Sequence, residues 1–580
     1  MGKITINVNT LDIEVESGMS VFEAITKRQF PYLDMKIPSL YYLKGVVDVD
    51  DSGVCIAEVD GEIVNASRIR VKEGMKVVTK SPELYEKRRD ALKEILKIHN
   101  RDCNGCVRCN SCELQELFHE YDFTDEPQLP KEDLEELDLS SKVLVRDNNK
   151  CIRCKRCINV CAKMQAVSAI ACTGEGLDAV IAPSSPAGLA AASCVNCGQC
   201  VAVCPVGALS EKDQTDLVKE ALDDPSKYVV VQVAPAVRAA LGESFEFNIG
   251  VDVEGRIADA LRNLGFDKVF DTKFGADLTI MEEANELLDR MQNDGVLPMI
   301  TSCCPGWIKY AEHFYPDMLE NISTCKSPHQ MQGAIIKSYI AEQEGIAKEN
   351  IVTVSVMPCT AKKFERLRDD ENGAGVPDVD IVITTNELER LIKDREVRFE
   401  AMHHKATFDE PLGFGTGAGV IFGATGGVME AALRTAVEKL TGENLEKLDF
   451  AEVRGMSGIK EASYDVNGTI VRVAAVSGLA NANQLLTKVK AGEADYQFIE
   501  IMACPGGCVN GGGQPHQPAQ TRLVTNVPAE RAAALYRNDD NAQIRKSHEN
   551  PSVQALYDDY LGAPGSERAH ELLHTTYRPR

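Results

Sequence analysis

Thiolates are the soft ligands that both iron–sulphur clusters and zinc require, and twenty of the 580 residues are cysteine. Thirteen of them lie between Cys103 and Cys204. One run reads Cys151-x2-Cys154-x2-Cys157-x3-Cys161, and a second repeats it as Cys194-x2-Cys197-x2-Cys200-x3-Cys204 followed by proline. Four more, Cys103, Cys106, Cys109 and Cys112, follow His99 closely. Another four are scattered: Cys304, Cys359, Cys504 and Cys508. The first three of these each end a short apolar run with a Pro or Gly breaker nearby, the mark of a buried strand meeting a loop. Ligands gather beyond the carboxyl ends of strands in open α/β sheets. Three such ends meeting would bring four thiolates to one point.

The doubled run has the spacing of bacterial two-cluster ferredoxins, in which the last cysteine of each run crosses to the other cluster. That pattern gives Cys151, Cys154, Cys157 and Cys204 to one 4Fe-4S cluster and Cys194, Cys197, Cys200 and Cys161 to the other. Zinc ribbons need neither eight cysteines nor the repeated x3 spacing. His99 to Cys112 fits His-x3-Cys-x2-Cys-x5-Cys, a 4Fe-4S motif with one histidine and three cysteines in hydrogenases and complex I. The resemblance selects His99, Cys103, Cys106 and Cys112; on spacing alone, Cys109 in place of His99 stays open.

Around the scattered cysteines the resemblance becomes close. Thr301-Ser-Cys-Cys-Pro-Gly-Trp307, Met357-Pro-Cys-Thr-Ala-Lys-Lys-Phe-Glu365 and Glu500-Ile-Met-Ala-Cys-Pro-Gly-Gly-Cys-Val-Asn-Gly-Gly-Gly-Gln-Pro515 are similar to the three signatures of iron-only (FeFe) hydrogenases. The likeness covers nearly the whole chain and implies reversible formation of H2 from protons and electrons. It also implies an H-cluster: a cubane on Cys304, Cys359, Cys504 and Cys508, joined to a diiron subsite carrying CO, cyanide and an azadithiolate. Lys362 resembles the lysine that bonds a cyanide; read alone, it is a helix-surface lysine pairing with Glu365. Met357 and Met502 match residues packed on the cluster, and Pro235 and Gln330 match the pocket wall. His329 stands where relatives carry glutamine. Cys303 resembles the proton-relay cysteine, and Glu283, Ser323, Glu286 and Arg290 match the path from it to solvent. Without the resemblance, Glu283, Glu286 and Arg290 are a charged helix face.

The elements needed to hold these residues are also legible. The chain reads as multidomain α/β. Residues 1–80 resemble a β-grasp, plant-type ferredoxin domain, with strands at Lys3-Ile-Thr-Ile-Asn-Val and Val54-Cys-Ile-Ala-Glu-Val and a capped helix at Ser20. Its four 2Fe-2S ligand positions align with Tyr41, Ser52, Cys55 and Ser67. Serine and tyrosine do not replace thiolates there, so a fold without its cluster is expected. Residues 81–140 hold a basic amphipathic helix, the His99 site and an acidic connector from Glu120 to Asp138. Residues 141–215 form the two-cluster ferredoxin domain. Residues 220–515 alternate strands and helices, as parallel sheets covered on both faces do. Residues 516–580 form a helical tail like the hydrogenase small subunit, docking through Leu535 and the Leu556-Tyr-Asp-Asp-Tyr-Leu stretch.

Composition narrows the setting. A net charge of −25 argues against nucleic acid or an anionic membrane as partner. No stretch approaches the ~18 apolar residues of a membrane-spanning helix, and a cytoplasmic location is expected. Asp48-x-Asp50-x-Ser52-Gly53 is not a calcium loop, because its twelfth position is Val59. Gly413-Phe-Gly-Thr-Gly-Ala-Gly fits neither nucleotide fingerprint. Electrons therefore come from outside: from ferredoxin, or from NAD(P)- and flavin-binding subunits of a larger hydrogenase. Maturation proteins are implied by the H-cluster. A hydrogen sensor would add a signalling domain. A non-enzymatic iron–sulphur assembly protein of this fold would lack Cys303, Lys362 and the Glu283 relay, all present here.

Overall fold

The computed structural model describes residues 2–28, 35–123, 129–130, 132, 134–445, 448–466 and 468–580. Part of the expected acidic connector lies outside the described residues.

The N-terminal sheet has five strands in the order Leu11–Glu16, Lys3–Val8, Lys76–Val78, Ile56–Val59 and Glu62–Asn65. The Lys3–Val8 strand pairs parallel with Lys76–Val78, and the other pairs are antiparallel. Asn9 and Thr10 turn the first hairpin at positive φ. Ser20 and Glu23 form a reciprocal capping box on the Val21–Lys27 helix, which closes the core.

Two four-stranded sheets build the large C-terminal part. The first runs Lys268–Asp271, Tyr228–Val233, Ile351–Met357, Ile381–Thr384, all parallel. Its strands are almost wholly apolar because both faces are covered. Val229, Val231 and Val233 point to one core, with the Glu254–Leu264 helix, and Val230 and Ile351 to another, with the Pro328–Ile335 helix. The second sheet runs Met299–Ile300, Phe498–Met502, Thr469–Ser477, Ile459–Val466. Side chains alternate across it as strand geometry demands: Phe498 and Met502 enter one core, Ile499 and Ile501 the other. The antiparallel hairpin Ile459–Val466/Thr469–Ser477 departs from the parallel expectation. A further small antiparallel hairpin, Ile170–Thr173/Val180–Pro183, is set between the two cysteine runs.

A continuous apolar core joins Leu40, Leu92, Leu114, Ile152 and Val203. The N-terminal sheet, the His99 segment and the doubled cysteine run are thus packed on one another. The tail docks with Leu535, Leu556, Tyr557 and Leu561 all buried.

Candidate active site

Cys359 lies just beyond the Ile351–Met357 strand of the first sheet, and Cys504 just beyond Phe498–Met502 of the second. Cys304 caps the Pro305–Phe314 helix after Met299–Ile300, and Cys508 opens the short turn Cys508–Asn510. The three strand ends therefore come from two sheets rather than one, and they meet. All four cysteines line one cavity of about 90 Å3, with Cys303, Pro235, His329, Met357, Lys362 and Met502. Gln330 is not among the lining residues; it is buried behind them with no hydrogen-bond partner for its amide. Thr272, Phe422 and Gly423 also line the cavity. No spacing in the sequence marks them.

The four thiols crowd one another in an otherwise apolar setting. Burial, with Cys304 beside it, pushes Cys359 up to about 12, and burial drives Cys304, Cys504 and Cys508 upward as well. Four buried thiolates without a cation would be costly. A metal removes that cost, because a coordinating thiol is deprotonated outright. Thiolate is also the donor that iron–sulphur clusters take, so the residues fit an iron–sulphur group.

Lys362 belongs to the cavity and still makes its helix pair. Its Nζ lies 2.8 Å from Glu365 Oε2 and donates to the Cys303 carbonyl at 3.1 Å. Glu365 also accepts from Ser327 Oγ at 2.9 Å and from His329 Nε2 at 2.5 Å. Burial opposes ionisation of Glu365, but Lys362 and His329 outweigh it and hold the carboxyl at about 2. Burial and the Lys362 ammonium hold His329 at about 4, so its ring is neutral. With Nε2–H given to Glu365, the lone pair of Nδ1 has no partner. Glu365 thus clamps Lys362 and His329 at the cavity wall. On spacing alone Glu365 is only a surface partner for Lys362.

Of the residues expected to carry protons, Ser323 and Arg290 meet at Glu286. Glu283 is fully buried beneath Cys303, and neither of its oxygens has a partner at bonding geometry. Burial, then repulsion from Glu286, lifts it to about 8. Ser323 Oγ donates to Glu286 Oε2 at 2.7 Å, and Arg290 reaches Glu286 Oε1 at 2.6 Å. Glu283 and Ser323 are fully buried, while the Glu286 and Arg290 side chains are 14% and 12% exposed.

The other cysteine groups lead to the cavity. Cys151, Cys154, Cys157 and Cys204 line one small cavity, the crossed set. Cys161, Cys194, Cys197 and Cys200 influence one another electrostatically. Cys197 also lines the four-cysteine cavity. Contact there is tight: Gly198 sits at φ +68°, and a Cβ on it would lie 2.4 Å from Thr360 Oγ1. Thr360 Oγ1 donates to Asn196 O at 2.7 Å, and Gln199 Nε2 to Asn510 O at 2.9 Å.

At the far end, buried His99 gives its Nδ1 proton to the Lys150 carbonyl at 3.0 Å, since a carbonyl can only accept. That fixes the tautomer and leaves Nε2 free as a ligand. Burial holds the ring neutral at about 4. Cys112 caps the Glu113–Glu120 helix, and burial, then Cys106 and Cys109, pushes the Cys103 thiol up. Cys106 packs on Gly207, next to the doubled run.

Comparison with known proteins agrees with this arrangement. Residues 227–512 match the family described as iron only hydrogenase large subunit, C-terminal domain, and residues 525–580 match the iron hydrogenase small subunit. Residues 88–127 match the NADH-ubiquinone oxidoreductase-G iron-sulfur binding region, and residues 191–210 a 4Fe-4S binding domain. The NADP-reducing hydrogenase subunit HndD of Solidesulfovibrio fructosivorans is 45% identical over 100% of both chains. Iron hydrogenase 1 of Clostridium pasteurianum is 43% identical over 92% of this chain and 93% of its own. Among solved structures, an [FeFe]-hydrogenase HydA1 from Chlamydomonas reinhardtii superposes with a TM-score of 0.55 at 46% identity. It covers 62% of this chain and 98% of its own.

Proposed function

This chain belongs to the iron-only hydrogenases, and from that premise we propose how its own residues divide the work of interconverting protons and electrons with H2. Cys304, Cys359, Cys504 and Cys508 hold the cubane of the H-cluster. Their convergence in one cavity with Cys303 and Lys362 is the observation that carries the reading. When bound, the H-cluster supplies the redox centre at which protons and electrons are combined. Lys362 offers an ammonium to an anionic group in the cavity, and Glu365 holds that ammonium in place. Pro235, Met357, Met502 and His329 shape the wall.

Protons reach the cavity through Arg290, Glu286, Ser323, Glu283 and Cys303 in turn. A carboxyl at about 8 in Glu283 can both accept and give a proton near neutrality. Electrons pass from a 4Fe-4S cluster on His99, Cys103, Cys106 and Cys112 through the crossed ferredoxin sets, and leave at Cys197. Domain limits near 80, 140, 215 and 515 describe this division of labour.

The N-terminal domain serves as a docking surface. At the aligned ligand positions, Ser52 and Ser67 are engaged with buried Asp50, and Tyr41 donates to Ile152 O at 2.6 Å. Asp50 Oδ2 also accepts from the Leu40 and Tyr41 amides at 2.6 and 3.1 Å. A carboxylate thus occupies the backbone donors that would face a cluster's charge. The likeness to a subunit of an NADP-reducing hydrogenase supports a heteromeric setting with NAD(P)- and flavin-binding partners; ferredoxin is the other donor we propose. No described helix is long and apolar enough to cross a membrane.

Hydrogen evolution by the anaerobically matured chain with reduced ferredoxin tests this reading. A fully iron-loaded chain inert with both ferredoxin and a small reducing dye would refute it.

A further inference from the structure

The middle carboxylate of the relay is also one corner of a cluster that proton transfer does not explain. Glu286, Cys325 and His574 each present one ligand atom, and these atoms lie within 4.8 Å of one another. They come from separate stretches: the Thr272–Gln292 helix, the loop before the Pro328–Ile335 helix, and the residue after the Glu567–Leu573 helix of the tail. The tail is fastened there by a bridge between Cys325 and His574. Lys326 N bonds Leu573 O and Thr575 N bonds Thr324 O, each at 2.8 Å.

The imidazole is oriented. His574 Nε2 lies 3.2 Å from Glu282 Oε2, and Nδ1 lies 2.7 Å from Thr324 Oγ1. Glu282 is fully buried and further held by Tyr557 and by the Gly565 amide. With Nε2–H donated to that carboxylate, Nδ1 keeps its lone pair. Carboxylates orient histidine in this way at zinc sites. Cys325 is fully buried, and its thiol lies 3.8 Å from Glu286 Oε2.

We propose that Glu286, Cys325 and His574 form a site for a thiophilic divalent cation, zinc above all, whose binding closes the proton relay. Sulphur, imidazole and carboxylate are the donors zinc takes, with water in a fourth position. Bonds of about 2.0–2.3 Å place tetrahedral ligand atoms roughly 3.3–3.8 Å apart. The Glu286–Cys325 pair already has that spacing, and the widest gap closes by about 1 Å through side-chain rotation. Zinc takes the place of the Thr324 hydroxyl at Nδ1 and of the Cys325 proton, which leaves to water. Glu286 bound to a dication no longer accepts a proton through Ser323. The closing role rests on the relay proposed above; the binding does not.

The test uses the fully matured enzyme with zinc chloride as probe. Zinc K-edge absorption should show one sulphur scatterer at about 2.3 Å beside lighter ligands at about 2.0 Å, with the iron content unchanged. Cys325→Ala should lose the sulphur scatterer. His574→Gln keeps a donor for Glu282 and an acceptor for Thr324. Its rate without zinc should match the parent, while half-inhibition needs at least about tenfold more zinc, a loss typical even of outer-shell partners. Absence of the sulphur scatterer in the parent, or its survival in Cys325→Ala, would overturn the site. Unchanged zinc sensitivity in His574→Gln would overturn it too. Zinc bound at Cys325 with turnover untouched would leave the site standing and refute the relay through Glu286.

Discussion

In the relay proposed above, Glu283 is the residue on which proton supply turns. Its carboxyl is held near 8 first by burial and then by Glu286, against the Ser302 amide and the Ser323 hydroxyl, which pull it down. Below that value it is protonated and can donate toward Cys303; above it the donor form is lost. Hydrogen evolution at saturating electron supply should therefore fall as pH rises through about 8. Glu283→Gln should remove that limb together with most of the activity, and a limb persisting in this variant would assign it elsewhere. Cys303→Ser should leave iron content unchanged and lower turnover by roughly 10²–10⁴-fold, the range of a lost general acid–base group. Full turnover in that variant would remove Cys303 from the path. Signature motifs made the cysteines, Lys362 and Cys303 legible. Glu365 was not legible as the clamp on Lys362 and His329, because a glutamate three residues from a lysine is ordinary on any helix.

At the scale of elements, strand ends and helix caps were readable because burial imposes a period. The Lys3–Val8 strand and the Ser20 cap fall where the pattern put them. The Thr272–Gln292 helix starts where Asp271 caps it through the Lys273 amide. Division of the strand ends between two sheets was not readable, because pairing partners are distant in sequence and leave no local signal. Close approach at Gly198 was equally silent. Gly198→Ala adds a Cβ against Thr360 in a left-handed backbone and should cost about 1 kcal/mol or more. It should slow ferredoxin-driven evolution while sparing hydrogen–deuterium exchange, which needs no external electrons. Equal loss of both would place the damage inside the cavity.

Across the molecule, Arg156 joins three parts of the chain. Buried, it donates to Glu113 at 2.7 and 3.0 Å and to the carbonyls of Leu40, Tyr41 and Tyr42. Arg156→Met leaves Glu113 with His516 as its side-chain partner and should cost roughly 3–5 kcal/mol, seen as early loosening of residues 1–80 in hydrogen exchange. Unchanged protection would mean that the shared apolar core suffices. Cysteine spacing marked the iron–sulphur domains; this cross-chain arginine was hidden between two cysteines of a motif. The central claim is that the four converging cysteines anchor an H-cluster. An infrared spectrum of the anaerobically matured protein tests it most directly. Sharp bands from iron-bound CO and cyanide are expected, and Cys508→Ala should lose them. Their absence from a verified, fully matured sample would contradict it.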